Sequence, residues 1–243
     1  ALHLLADSLY RYASLILVVT EPCRQQILAR GIAPAKVLLA PNGFDRVEPA
    51  REPQFLRAPG QFVIACVGTM GFMQGVDVVL SAASCLRQDR RFKFVLAGGG
   101  TDLEKVMARV AEEHLENVEV LGPKSRAEAF ALQAQADVCV VPLRNAAPDS
   151  LPTKMFDALA LKKPVIACAV GEAARFINES GGGVVVEPEN GPALANAIRY
   201  LADEDPARLA DYGRSGSEYV MAHFDRAALT PKITARIVGA APA

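Results

Sequence analysis

"FVIACVGTMGFMQGVD", residues 62–77, joins an unbroken apolar run to a turn that holds three glycines. Such a run is typical of a strand that is covered on both faces of a sheet. After the turn, Val76, Val79, Leu80 and Ala83 recur at the spacing of one helix face. The stretch therefore predicts a strand, a tight turn and a helix, which together are half of a βαβ unit.

The same alternation continues along the chain. Further apolar runs lie at residues 92–100, 118–122, 136–143, 164–169 and 182–188. Because helix-length segments separate the runs, they predict an α/β fold with a Rossmann-like parallel sheet of six strands in the order 3-2-1-4-5-6. Thr101 and Glu104, after the second run, have the spacing of a capping box and predict the start of a helix.

Residues 1–61 do not follow this alternation. Two strand-like runs precede a polar stretch that is rich in proline and glycine and is typical of a linker. Because the part before the linker is too short for a domain, we expect it to be the remnant of a larger N-terminal domain whose beginning is missing. The predicted organisation is a remnant at residues 1–45, a linker at 46–61, a Rossmann-like domain at 62–225 and a C-terminal tail at 226–243.

Composition argues against several classes of protein. The formal net charge of -1 disfavours broad nucleic-acid binding, which usually needs a basic face. The five cysteines are scattered without C-x-x-C spacing, which is typical of reduced thiols in a cytosolic protein. The sequence shows no signal-peptide pattern and no apolar run of about 18 residues. The three histidines share no spacing of a metal site or catalytic dyad, so we expect no metal and no cofactor.

A second stretch, "PDSLPTKMFDALALKKPVIA" at residues 148–167, indicates an anionic ligand. Thr153 opens an apolar helical periodicity, so nearby amides should point outward from a helix N-terminus and attract phosphate. Lys154 adds a point charge that suits the same group. Asp157, one turn later, can accept hydrogen bonds from both hydroxyls of a ribose. Asp149 lies eight residues before Asp157.

Four motifs in order, "PNGFD", "VGTMGFMQGVD", "LAGGG" and "LPTKMFDALALKKPVIA", carry a family likeness. With them, residues 13–224 resemble the carboxy-terminal half of retaining GT-B glycosyltransferases of family 4, especially the bacterial polysaccharide branch of fucosaminyl transferases. On this resemblance, residues 62–225 would bind a nucleotide-sugar and residues 1–45 would be the remnant of an acceptor domain.

The resemblance implies transfer of a hexose-type sugar, with retention and without a metal, in the biosynthesis of cell-surface polysaccharide. The donor would be an NDP-sugar, with UDP as the expected nucleotide, and the acceptor a saccharide or a lipid-linked saccharide. A cytoplasmic location is expected, with peripheral association at the inner membrane face through the missing N-terminal domain. We expect the 243-residue chain itself to be an inactive donor-binding fragment.

The resemblance also implies roles for individual residues. The expected catalytic residues are Lys154, which would offset the charge of the leaving diphosphate, and Asp149, which would engage the donor sugar. Asp157 would hold the ribose. The other expected donor-binding residues are Gly68, Thr69, Gly71, Gln74, Gly75, Arg144, Ser150 and Thr153.

The sequence departs from this family's pattern at four positions. Thr69 and Gln74 stand where common members carry an arginine and a lysine, which leaves Lys154 and Arg144 with more charge to neutralise. Asp157 stands where the family has a longer glutamate. The fourth departure is at residue 162, where a lysine stands in place of the usual glycine before a strand and is expected to be a solvated helix-end charge.

Each assignment has a plainer alternative. Lys154 would otherwise be a surface lysine at a capped helix, and Asp157 an acid that favours a first helical turn. Asp149 would belong to a Pro-Asp-Ser turn, and Arg144 would be a solvated loop arginine. Two other functions stay open: a non-catalytic Rossmann module, and a GT-B nucleotide-sugar 2-epimerase, which would need further acids and histidines.

Overall fold

The computed structural model describes residues 2–240, with side chains from residue 5 to residue 239. Its first part is a small unit with two short parallel strands that pair with each other. The elements of this unit are α1 (Leu2–Tyr12), β1 (Ile16–Val18), α2 (Glu21–Leu28) and β2 (Val37–Leu39). Its buried apolar cluster is Val18, Ile27, Ile32 and Val37, which is separate from the two larger cores. Residue 1, within the predicted remnant, lies outside the described residues.

A six-stranded parallel sheet organises the rest of the described chain. Its strands are β3 (Phe62–Val67), β4 (Phe92–Ala97), β5 (Val118–Val120), β6 (Val138–Pro142), β7 (Val165–Cys168) and β8 (Gly183–Val186). They are ordered β5-β4-β3-β6-β7-β8, which confirms the predicted order 3-2-1-4-5-6. The reversal of order beside β3 creates a crevice between β3 and β6 at the carboxyl ends of the strands, where open α/β sheets bind ligands.

Helices cover both faces of this sheet, as the continuous apolar runs predicted. The helices are α3 (Asp77–Leu86), α4 (Leu103–Glu112), α5 (Arg126–Gln135), α6 (Thr153–Ala160), α7 (Gly171–Ser180), α8 (Gly191–Ala202), α9 (Pro206–His223) and α10 (Arg226–Ala240). One core lies under α3, α4 and α8, and the other under α5, α6, α7 and α9. Three cysteines, Cys66, Cys139 and Cys168, are buried free thiols on the strands.

The C-terminal end of the chain is tied to the end of the small N-terminal unit. The Phe44 amide donates to the Phe224 carbonyl at 3.0 Å, and the Arg226 guanidinium pairs with Asp45 at 2.9 Å. Residues 226–240, predicted as a tail, form a helix, whereas residues 241–243 lie outside the described residues. Among the helices of residues 2–240, none has the length and apolar character that a bilayer crossing requires.

The turns after β3 and β4 lie against each other, backbone to backbone. Gly98 has φ 152, and a Cβ on it would lie 1.8 Å from the carbonyl oxygen of Gly68. The Met70 amide also donates to the Gly99 carbonyl at 2.8 Å. The glycines of "LAGGG" therefore allow a close approach that fixes the turn after β3 at the edge of the crevice.

The predicted capping box at Thr101 and Glu104 does not form. The helix begins after Asp102 and not after Thr101, and Asp102 makes no side-chain cap. The Asp102 amide donates to the Met70 carbonyl and ties the segment to the neighbouring turn. A capping box occurs instead at α5. The Glu128 amide donates to Ser125 Oγ at 3.3 Å, and the Ser125 amide donates to Glu128 Oε2 at 2.8 Å.

This difference predicts a measurable contrast in stability. We expect Ser125→Ala to lower the free energy of unfolding by about 1 kcal/mol, since it removes an N-cap oxygen. Thr101→Ala should change it by less than about 0.5 kcal/mol, as for an ordinary surface substitution. Urea denaturation of both variants measures the two values. A larger loss for Thr101→Ala than for Ser125→Ala would contradict the capping assignment.

Candidate active site

A cleft of about 380 Å³ opens at the carboxyl ends of β3 and β6. Seven of the residues predicted for the site line this one cleft: Gly68, Thr69, Gln74, Ser150, Thr153, Lys154 and Asp157. Residues from the turn after β3, from α5 and from the segment between β6 and α6 meet here, because the strands are parallel and their carboxyl ends share one edge. The remaining lining residues are Val67, Arg126, Ala129, Phe130, Gln133 and Pro152.

The N-terminus of α6 faces this cleft. Pro152 precedes the helix in an extended conformation, and no side chain caps the helix or places an acid in its first turn. The first amides of a helix have no partner within the helix, and the helix dipole adds partial positive charge at that end. The arrangement can therefore bind an anion such as a phosphate.

Lys154 lies beside the turn after β3 and is partly buried. A Cβ on Gly68 would lie 3.3 Å from Lys154 Cδ and 3.9 Å from Lys154 Nζ, so the missing side chain of Gly68 makes room for the lysine. Burial lowers the pKa of the Lys154 ammonium. Among the described residues its Nζ has no hydrogen-bond or ion-pair partner, so this cation is available to a ligand.

Asp157 lies on α6 one helical turn after Thr153, and its side chain is 18% exposed. Burial raises the pKa of the Asp157 carboxyl to about 6, while Arg126 acts in the opposite direction. Asp157 Oδ1 has no hydrogen-bond partner among the described residues, and Arg126 Nη2 is 3.6 Å from it. A buried carboxylate oxygen without a donor is costly, and a ligand hydroxyl in the cleft would remove that cost.

Four of the predicted site residues do not line the cleft. Arg144 donates to the Phe72 carbonyl at 2.7 Å and pairs with Asp77 at 2.9 Å and Glu189 at 2.7 Å. The prediction that Arg144 reaches a diphosphate is therefore not supported, because two carboxylates already neutralise its charge. The glycine at position 75 packs its backbone against the Arg144 side chain, and the glycine at position 71 packs against Gln74.

Asp149 is turned toward the small N-terminal unit. Gln26 on α2 donates an amide hydrogen to Asp149 Oδ2 at 2.6 Å. The hydrogen bond is exposed to solvent, so water or a ligand can replace it. The predicted contact of Asp149 with a donor sugar stays a prediction, because its carboxylate can accept a further hydrogen bond beside the one from Gln26.

The sequence did not predict the contribution of α5. Arg126, Ala129, Phe130 and Gln133 follow the i, i+3, i+4, i+7 spacing of one helix face, and this face forms one wall of the cleft. The spacing was visible in the sequence, but Arg126 and Gln133 there look like ordinary polar positions. Their direction into the cleft follows from the packing of α5 against α6.

At residue 162 the backbone adopts the left-handed region, with φ 57. A glycine is favoured there, which agrees with the family pattern from which Lys162 departs. Within the described residues, no group of three or more histidines, cysteines and acids is arranged to hold a metal ion.

Comparison with known proteins shows similarity to glycosyltransferases in both sequence and fold. The family model described as "Glycosyl transferases group 1" matches residues 61–204. The D-inositol 3-phosphate glycosyltransferase of Corynebacterium aurimucosum is 30% identical over 158 residues, which are 61% of this chain and 36% of that protein. The alpha-D-kanosaminyltransferase of Streptomyces kanamyceticus is 26% identical over 211 residues, 82% of this chain and 53% of that protein.

Among solved structures, HepE of Anabaena in complex with UDP superposes with a TM-score of 0.78 at 18% identity. The match covers 95% of this chain and 65% of that one. The chain thus spans about half or less of the length of the two curated relatives and about two thirds of this structural neighbour.

Proposed function

The chain belongs to the group 1 glycosyltransferases and has the fold of the C-terminal, Rossmann-like half of a GT-B enzyme, and from this premise we propose that its cleft binds the NDP-sugar donor of a hexosyltransferase. The observation that carries the proposal is the uncapped N-terminus of α6 with the Lys154 ammonium beside it, which pairs with no side chain of residues 5–239. Together they form an anion site at the switch point of the sheet.

UDP is the nucleotide that we propose. HepE, which shares the fold, was crystallised with UDP and with UDP-glucose. In the cleft the diphosphate would lie against the amides of Thr153 and Lys154, and Asp157 would accept from the ribose. The spacing of one helical turn between Thr153 and Asp157 suits neighbouring groups of one nucleotide.

The cleft residues would act on the leaving group. Departure of UDP develops negative charge on the diphosphate, and oriented amides with an ammonium stabilise that charge without reorganisation. Thr69 and Gln74 supply no charge at the turn after β3, so Lys154 would carry more of this stabilisation than in relatives with two cations there. We propose on this basis that transfer needs no metal ion.

The finer features of the activity are also proposals. We assign retention of configuration, family 4 and the fucosaminyl-transferase-like branch from the "LPTKMFDALALKKPVIA" motif. The acceptor would be a saccharide or lipid-linked saccharide in polysaccharide biosynthesis, reached in the cytoplasm at the inner membrane face. The 243-residue chain would carry the donor side of such a site and would not transfer sugar alone.

A second candidate is a non-catalytic module that binds a nucleotide-sugar. The observation in its favour is that both positions of the usual cation pair, Thr69 and Gln74, are neutral while the fold and cleft are intact. The two functions share donor binding and differ in turnover. A transfer assay with a chain that contains both halves separates them, because the module would bind UDP-sugar tightly and consume none.

Isothermal titration of the 243-residue chain with UDP, UDP-glucose and uridine tests donor binding. We expect UDP to bind at micromolar concentration and uridine far more weakly, since the proposed anion site contacts the diphosphate. Equal affinity for UDP and uridine would exclude a role of the α6 N-terminus. No binding of UDP or UDP-glucose would exclude the donor-site proposal itself.

The two acids should differ in their response to these ligands. We expect Asp149→Asn to leave UDP affinity unchanged and to weaken only the sugar-bearing ligand, by about 3- to 10-fold, the value of roughly one hydrogen bond. Gln26→Leu is the matched control, because it frees Asp149 and should not weaken UDP-glucose. A loss of UDP affinity in Asp149→Asn would show that Asp149 does not act on the sugar alone.

A further inference from the structure

A buried amide side chain at the floor of the cleft has an oxygen that no group of the described residues satisfies. Gln133 is 4% exposed and lines the cleft, and its Oε1 has no hydrogen-bond partner among the described residues. Few buried polar side chains in a native protein lack a partner, because the lost hydration is not recovered. A buried acceptor that lines a cleft therefore indicates a donor group on the molecule that fills it.

Gln133 occupies the deep end of the α5 wall. Arg126 lies two helical turns earlier on the same face, and its side chain is 50% exposed at the rim. Phe130, between them, is 4% exposed and carries the Arg126 guanidinium 5.5 Å from its ring centre. The wall thus runs from a charged rim through an aromatic ring to a neutral amide at the floor.

The second unsatisfied acceptor of the cleft is on the facing helix. Asp157 Oδ1 on α6 also lacks a hydrogen-bond partner, and α5 packs against α6. The cleft therefore presents two buried acceptors, one charged and one neutral. A phosphate cannot satisfy them, because its oxygens are acceptors as well.

Two neighbouring donors on one ligand would satisfy both oxygens. The imide edge of uracil offers one N–H between two carbonyls, which would leave the Asp157 oxygen facing another acceptor. The cis-diol of a ribose offers two O–H donors on adjacent carbons. The diol therefore fits the pair of acceptors better than the base does.

We propose that Gln133 and Asp157 share the ribose diol of the donor, Gln133 Oε1 accepting from one hydroxyl and Asp157 from the other, so that the pair selects ribonucleotide over deoxyribonucleotide donors. This inference rests on the proposed binding of an NDP-sugar in the same cleft. Its consequence is that UDP-sugars would be accepted and sugars on a 2'-deoxynucleotide such as dTDP would be discriminated against.

The test combines a change in the protein with a change in the ligand. Gln133→Met keeps the length of the side chain and removes its amide. Isothermal titration of wild type and Gln133→Met would use UDP, 2'-deoxy-UDP and 3'-deoxy-UDP. We expect UDP affinity to fall about 10-fold in the variant, while the deoxy ligand that lacks the hydroxyl facing Gln133 binds equally to both proteins.

Gln135→Met is the matched control on the same helix. Gln135 faces the linker, where its Oε1 accepts from the Gln54 amide at 3.0 Å, so the control should bind all three ligands like wild type. Thermal unfolding of Gln133→Met and of a second variant, Gln133→Leu, verifies that the fold is intact.

Three outcomes would overturn the inference. An equal loss for all three ligands would assign Gln133 to the base or the diphosphate. No loss for any ligand would mean that a water satisfies the amide in the complex. Failure of wild type to bind UDP would overturn the proposed function together with this inference, whereas the first two outcomes leave the proposed function standing.

Discussion

Lys154→Met should lower the affinity of the protein for UDP by about 10- to 100-fold, which corresponds to about 1.4–2.8 kcal/mol. The methionine keeps the stem that packs beside Gly68 and removes the charge. The loss should be large because no described side chain pairs with the ammonium and because Thr69 and Gln74 bring no charge to the same cleft. Isothermal titration measures the effect, and the loss should shrink at high salt, since an open cleft is screened.

Arg144→Met is the matched control for this prediction. Arg144 was a further candidate for the diphosphate on sequence grounds, but Asp77 and Glu189 pair with it in the structure. The control should therefore change UDP affinity less than about 2-fold. Uridine should bind alike to wild type and Lys154→Met. A result in which Arg144→Met weakens UDP and Lys154→Met does not would reverse our assignment of the phosphate-binding cation.

Asp157→Asn should weaken UDP by about 10- to 100-fold and at the same time stabilise the protein without ligand. The first effect follows because hydrogen bonds to a carboxylate contribute about 1.5–3 kcal/mol each. The second follows because burial raises the pKa of Asp157 to about 6, so the ionised form is unfavourable in the folded state. Removing the ionised carboxylate should raise the free energy of unfolding by up to about 3 kcal/mol at neutral pH.

The ionisation of Asp157 determines how protein stability and UDP-glucose affinity change with pH. The Asp157 carboxyl has a pKa of about 6 in the folded protein, whereas the ordinary pKa of an aspartate carboxyl is 3.8. The destabilisation is therefore present above about pH 6 and disappears as the pH falls to the ordinary value. Wild-type affinity for UDP-glucose should fall as the pH is lowered through about 6, because protonation removes an acceptor.

In Asp157→Asn, neither the free energy of unfolding nor the affinity for UDP-glucose should show this dependence on pH. UDP-glucose is the suitable ligand, since its diphosphate is esterified at both ends and gains no proton in this range. Chemical denaturation and titration at several pH values measure the two effects. Loss of both stability and UDP affinity in Asp157→Asn would indicate that the carboxylate is a structural group and not a ligand for ribose.

The sequence predicted the fold because apolar runs in a parallel sheet are nearly continuous and therefore easy to recognise. It also predicted most of the cleft, because Thr69, Ser150 and Lys154 all follow strands whose carboxyl ends share one edge. Residues that follow parallel strands meet at that edge in any sheet of this topology. The order of the motifs along the chain was therefore sufficient to predict that these residues lie together.

Contacts between segments that are distant in sequence were not predictable in the same way. Arg144 pairs with Asp77 and Glu189, and Asp149 with Gln26, which no local pattern encodes. Gln133 was missed because its burial depends on how α5 packs against α6. The capping box at Thr101 was predicted wrongly for a similar reason.

A crystal structure of the chain with UDP tests the central claim most directly. Our account predicts diphosphate oxygens within about 3 Å of Lys154 Nζ and of the first α6 amides, and ribose hydroxyls at Asp157 and Gln133. The contrary result would be UDP bound elsewhere, for example in the groove of about 500 Å³ that Arg87, Arg90 and Lys93 line. A diphosphate held there, with the α6 N-terminus free, would contradict the assignment of the donor site.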